Sequence, residues 1–143
     1  MPMQFPSFST PWIIQSFAAL FLAILFLQSG IDKIVDRQGN LAWLTKHFAQ
    51  SPLASTVGRM FLAITILETT AGVLSGVGLL LIVVAQLTIV AYCGAIVATV
   101  ALACLFFGQR VAKDYAGAAV LVPYILLALF AVWVLRPDPL VAL

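Results

Sequence analysis

Charge is what this chain has least of: 8% of its 143 residues are Asp, Glu, Lys or Arg, while 64% are hydrophobic. Soluble domains carry roughly 25% charged residues, so too few are present to build a water-facing surface, and the expected solvent is a lipid bilayer. The net charge of +2 is too small to point to nucleic acid. Histidine occurs once, as His47, in a connection rather than in an apolar run. A bundle that holds haem needs histidines within its helices, and zinc or di-iron sites need more such ligands, so no metal site and no cofactor of those kinds is expected. The two cysteines, Cys93 and Cys104, share one apolar run. About 16 Å of helical rise separates them, too far for a disulfide, and the absence of a CxxC pair speaks against a quinone-reducing thiol oxidoreductase. Phosphate-binding glycine loops, nucleophile elbows and paired carboxylates are also missing. No catalytic residue is assigned, and the chain reads more as a non-catalytic subunit than as an enzyme. The opening MPMQFPSFSTPW has no Lys or Arg, and no small-residue cleavage site follows its apolar run. That run is therefore expected to be a permanent span rather than a signal peptide.

What the chain does have is long apolar runs. A span needs roughly 20 such residues, and four are expected, at about 12–31, 57–74, 79–107 and 117–135. The fold class predicted is all-α: an integral membrane four-helix bundle forming a single domain over 1–143, with a short interfacial helix between spans one and two. Thr10 is a candidate cap and Pro11 fits a first helical position; Ser51 and Pro52 offer the same pair ahead of span two. Spans two and three run together without a charge, and a tight turn at Gly76 and Gly78 is the economical way to divide them. Gly39-Asn40 is expected to end the first helix. The following NLAWLTKHFAQ places Leu41, Leu44 and Phe48 on one face, with Lys46 and Gln50 opposite and Asn40 as cap. This pattern suits a helix lying on the membrane surface, the alternative being an irregular polar loop. Pro123 is expected to kink span four.

Lys33, Arg37, Lys46 and Arg59 lie in the first connection and Arg110 and Lys113 in the third, against Arg136 alone on the other side. This asymmetry predicts both basic connections in the cytoplasm and both termini outside.

Glu68 is the isolated acid of the second span, nine residues from Arg59. A carboxylate in hydrocarbon costs at least about 2.5–3.5 kcal/mol, so it should face other helices, face a cavity, or be protonated. Phe61, Ile64, Thr65, Ala71, Gly72 and Ser75 share its face, with large aliphatics opposite. With the turn at Gly76–Gly78, Gln86 comes level with Glu68 and Gln15 comes within a turn of it. A polar cluster of Glu68, Gln86 and Gln15 is expected, with Lys33 too far away for a direct pair. Glu68 is then a packing device, a group that handles protons or meets a quinone, or a contact to another protein. Ala91, Gly94, Ala95 and Ala98 form a small-residue face for a close neighbour, within the chain or in a second subunit.

The ending of span one, FLQSGIDKI, the amphipathic connection, and LAITILETTAGVLSGVGLLL together resemble the DoxX family of small bacterial four-helix membrane proteins. The residues that carry the resemblance are Gly30 and Lys33 at the end of span one, and Glu68, Gly72, Gly76 and Gly78 in span two; span three lacks the basic residue often found after those glycines. The resemblance implies a multi-pass protein of the bacterial inner membrane. It also implies an integral subunit of a respiratory or other membrane redox complex, without a cofactor of its own, in contact with lipid and with other membrane subunits or a second copy. Two alternatives stay open. One is a quinone-reactive protein in which Glu68 handles protons. The other is a small dimeric proton-coupled exporter, although those place their acid in the first span.

Overall fold

A computed structural model describes residues 9–137. It contains five α-helices and no strand among the described residues: α1 Thr10–Val35, α2 Arg37–His47, α3 Val57–Ala85, α4 Ile89–Val111 and α5 Tyr115–Val134. A 3-10 turn, Ala54–Thr56, leads into α3. Four of the helices, all but α2, are long and apolar enough to cross a membrane, which is the architecture of a multi-pass membrane protein. They run up and down in chain order, with α3 packed between α1 and α4, and α5 against α4.

The core is built from small side chains. Ala71, Ala91, Ala95, Ala98, Ala101, Ala128 and Ala131 are fully enclosed, around Leu22, Phe26 and Ile82. Large aliphatic and aromatic side chains point outward instead, among them Phe17, Phe21, Ile66, Leu80, Leu126 and Trp133. That is the inverse of a soluble bundle and the pattern expected where lipid tails are as apolar as the core. The small-residue face of α4 is thus used within the chain, against α3: a Cβ on Gly94 would come within 2.8 Å of the Ser75 nitrogen.

The largest departure from the sequence reading is the joint between the second and third long helices. Gly76 and Gly78 do not turn; both lie inside α3, which continues to Ala85. A Cβ on Gly78 would collide with the backbone nitrogen of Ala91, so this glycine is there to let α4 approach. The reversal falls at Gln86, whose left-handed φ of 57° ends the helix, and Thr88 opens α4. A left-handed residue is most often glycine, which is why the glycine pair looked the better turn. The second span is therefore longer than 57–74, and the third starts at Ile89 rather than 79.

The ends of the other helices follow local capping chemistry. Ser9, not Thr10, caps α1 by accepting from Trp12 N. The first break falls at Asp36 rather than at Gly39-Asn40: Asp36 closes α1 and its side chain accepts from Gly39 N to open α2. Asn40 serves the helix behind it, its amide donating to the Asp36 carbonyl at 2.9 Å. Ser51 shapes a turn, accepting from Leu53 N at 3.2 Å, rather than capping α3. Helix α2 ends at His47, with Leu41 and Leu44 half-buried and Phe48 buried. Asp114 caps α5 through Gly117 N at 2.8 Å, and Pro123 lies inside that helix.

Candidate functional site: a charged clasp between α1 and α3

Helices α1 and α3 are antiparallel and cross closely. A Cβ on Gly30 would lie 3.1 Å from Thr69 Cα, and one on Gly72 would lie 2.6 Å from Leu27 N. Next to the Gly30–Thr69 contact, on the side away from Gly72, stands Glu68, 2% exposed. Lys33 Nζ reaches Glu68 Oε2 at 2.8 Å, and Ser29 Oγ donates to the same oxygen at 3.0 Å. The triangle is closed by Lys33 Nζ donating to Ser29 Oγ at 2.8 Å. Ser29 and Lys33 are four residues apart on one helix face, so a single turn of α1 supplies both partners of the acid.

Physically this is a buried, hydrogen-bonded ion pair. Its Coulomb gain offsets a large desolvation cost only because both partners are close and well directed. The lysine side chain retains 16% exposure against 3% for the acid. The lysine is rooted beside Asp32, near the charged end, and its head reaches back one turn of α1 to Ser29 and Glu68. Of the three ammonium protons, one is directed at Glu68 and one at Ser29.

Gly30, Lys33, Glu68 and Gly72 are brought together here. Gln86 and Gln15 are not. Gln86 is an exposed turn residue, about 27 Å of helix beyond Glu68, because the turn that would have folded it back lies at Gln86 itself. Gln15 Nε2 donates to the Val134 carbonyl at 3.0 Å and ties α1 to α5. It belongs to the same far end as Trp12, whose Nε1 donates to the Ile82 carbonyl at 3.3 Å. The expectation that Lys33 lies too far from Glu68 is likewise corrected: it rested on the misplaced turn, which put the acid at the wrong end. Ser29 was the residue missed. Its spacing from Lys33 was legible, but its partner was not.

A second polar cluster lies at the charged end. His47 Nε2 is 2.9 Å from Gln109 Oε1 and 3.6 Å from Asp114 Oδ2, and the ring stacks on Trp43 with centroids 4.8 Å apart. Phe48 lies over Gly108, where a Cβ would be 3.5 Å from its ring. These contacts pin the end of α2 to the α4–α5 connection. Nearby, Arg110 covers the Tyr115 ring at 4.5 Å. No group of three or more His, Cys, Asp or Glu side chains gathers among the described residues.

Compared with known proteins, the chain matches no family model, no curated protein and no solved structure.

Proposed function

We propose that this chain is an integral membrane subunit that associates with a respiratory or other membrane redox complex and contributes packing surface rather than a cofactor. The observation that carries the structural half of this reading is the enclosure of Glu68. Its carboxylate is spent on Lys33 and Ser29 of the neighbouring helix, so the acid acts as a fastening between α1 and α3 rather than as an open proton acceptor. The redox half is supported by the resemblance of Gly30, Lys33, Glu68 and Gly72 to the DoxX pattern. In this reading the protein lies in a bacterial inner membrane, with α2 on the cytoplasmic interface and both termini outside.

The test is purification from native membranes in a mild detergent, with identification of what accompanies the chain. A flavin-, haem- or iron–sulfur-bearing partner is expected, and Glu68→Gln should retain both partner and activity. A chain that elutes without any such partner, or a Glu68→Gln complex that assembles and is inactive, contradicts this reading. The second outcome favours a quinone-reactive protein. The observation on that side is the partly exposed Lys33 side chain, whose third ammonium proton would be the one to meet a quinone carbonyl.

A further inference from the structure

Most cations of the charged end have no acid to pair with. Arg37, Lys46, Arg59, Arg110 and Lys113 are exposed, and the ion pairs among the described residues are those of Lys33 with Glu68 and of His47 with Asp114. The aspartates of this end are already engaged within the chain. Asp32 accepts from Asn40 at 3.3 Å, Asp36 from Gly39 N at 3.2 Å, and Asp114 from Gly117 N at 2.8 Å. A surplus of positive charge on one side is common to multi-pass proteins and by itself names no site. Three of these cations are set apart by the packing beneath them.

His47 holds Gln109 and Asp114 in one contact group, and each of the three has a cation as its sequence neighbour: Lys46, Arg110 and Lys113. The contacts of His47 thus draw α2 onto the α4–α5 connection and fix three cations around one corner. Phe48, buried over Gly108, holds the same junction. The acid of the corner, Asp114, is occupied by His47 and by its own cap. Arg110 lies face-on over the Tyr115 ring at 4.5 Å. A guanidinium carries its donors in its plane, so a ring on its face uses none of them.

Depth and aromatics indicate what meets these cations. Arg110 is in the last turn of α4 and Tyr115 opens α5, so both stand where a span leaves the hydrocarbon. Tyr115 is 57% exposed and Trp43, stacked on His47, 59%. Such rings suit the headgroup level, where one end is apolar and the other wet. We infer that this corner binds the headgroup of an anionic phospholipid, with Arg110, Lys46 and Lys113 gathered on its phosphate. Arginine meets two phosphate oxygens at once, and the lysines add point charges. The inference rests on the membrane reading of the four long helices and is independent of the redox assignment.

The test titrates the full chain, purified in an uncharged detergent, with phosphatidylglycerol or phosphatidylcholine of the same acyl chains. Bound lipid is counted on the intact protein by native mass spectrometry. Phosphatidylglycerol should be retained in preference. Lys46→Gln, Arg110→Gln and Lys113→Gln should each weaken its retention about 5-fold, the attraction of one basic residue to an anionic lipid surface. Arg37→Gln, about 14 Å of helix from Lys46, should leave it unchanged. All four side chains are exposed, and circular dichroism checks that helix content is kept. Equal retention of the two lipids overturns the proposal. So does a preference that Arg37→Gln lowers as much as Lys46→Gln, since the charge would then act diffusely. Three corner variants that release an acidic protein and leave lipid retention unchanged overturn it as well. A chain that stays in solution without detergent and does not insert into liposomes overturns the membrane reading instead.

Discussion

Ser29, Lys33 and Glu68 show how far residue-level reasoning reaches. That an acid in an apolar helix must find a partner follows from solvation alone; which partner it finds depends on helix register. Three side chains converge within 3.0 Å, and the roles are unequal. Ser29 is the smallest contributor, being neutral, and its hydroxyl bridges the two charges. Ser29→Ala should lower stability by about 1–3 kcal/mol, read by chemical denaturation in detergent, with the helix content unchanged. Ser75 is the contrasting case. It is completely buried and its hydroxyl has no partner among the described residues. Ser75→Ala removes an unsatisfied buried group and should be neutral or stabilising by up to about 1 kcal/mol; a loss above that would mean the hydroxyl has a function the bundle does not display.

At the scale of elements, the glycines carry most of the information. From sequence they are ambiguous, since a glycine marks a turn, a bulge or a close approach equally well. In α3, Gly72 and Gly78 are close-approach residues, whereas Gly76 is in ordinary contact and Gly58 meets nothing. Gly72→Ala would push a methyl to 2.6 Å from Leu27 N, whereas at Gly76 the nearest atom is 3.8 Å away. Gly76→Ala should be tolerated or mildly stabilising, because alanine is the better helix former by about 1 kcal/mol, while Gly72→Ala should part α1 from α3 and lower the melting temperature sharply. The reversal at Gln86 gives the converse prediction. Its φ of 57° burdens a non-glycine residue by roughly 1–2 kcal/mol, so Gln86→Gly should raise stability by about 1 kcal/mol. The number and approximate placing of the long helices were legible from hydrophobic run length. The α3–α4 joint was not, because a glutamine in a left-handed turn leaves no compositional mark. The α2 helix was legible from the spacing of Leu41, Leu44 and Phe48, but its start was shifted by reading Asn40 as a cap when it bonds back onto α1.

Among the described residues Arg136 stands alone at one end of the molecule, and the remaining charges gather at the other. The basic residues of the first and third connections meet there, the His47 cluster binds α2 across that end, and the Lys33–Glu68 clasp lies just inside it; Gln15, Trp12 and Gln86 mark the opposite end. If the basic end faces the cytoplasm, a reporter fused after Leu143 should be active only outside it; cytoplasmic activity would invert the arrangement and every statement about sides. The long-range error over Glu68 had one cause. A single misplaced turn slid α3 along the bundle axis and exchanged a partner on α1 for one on α4.

The clasp is the central structural claim, and a double-substitution cycle over Lys33 and Glu68 tests it most directly, with unfolding free energies measured in one detergent. Lys33→Met alone leaves a buried carboxylate without its cation and should cost about 3–5 kcal/mol. Glu68→Leu alone should cost less, because the Lys33 side chain keeps 16% exposure and its head can turn toward the charged end. The double variant, apolar on both sides, should recover most of the loss and be more stable than Lys33→Met. If the two losses simply add, leaving the double variant worse than either single one, Lys33 and Glu68 do not act on each other and the clasp is not what holds α1 to α3.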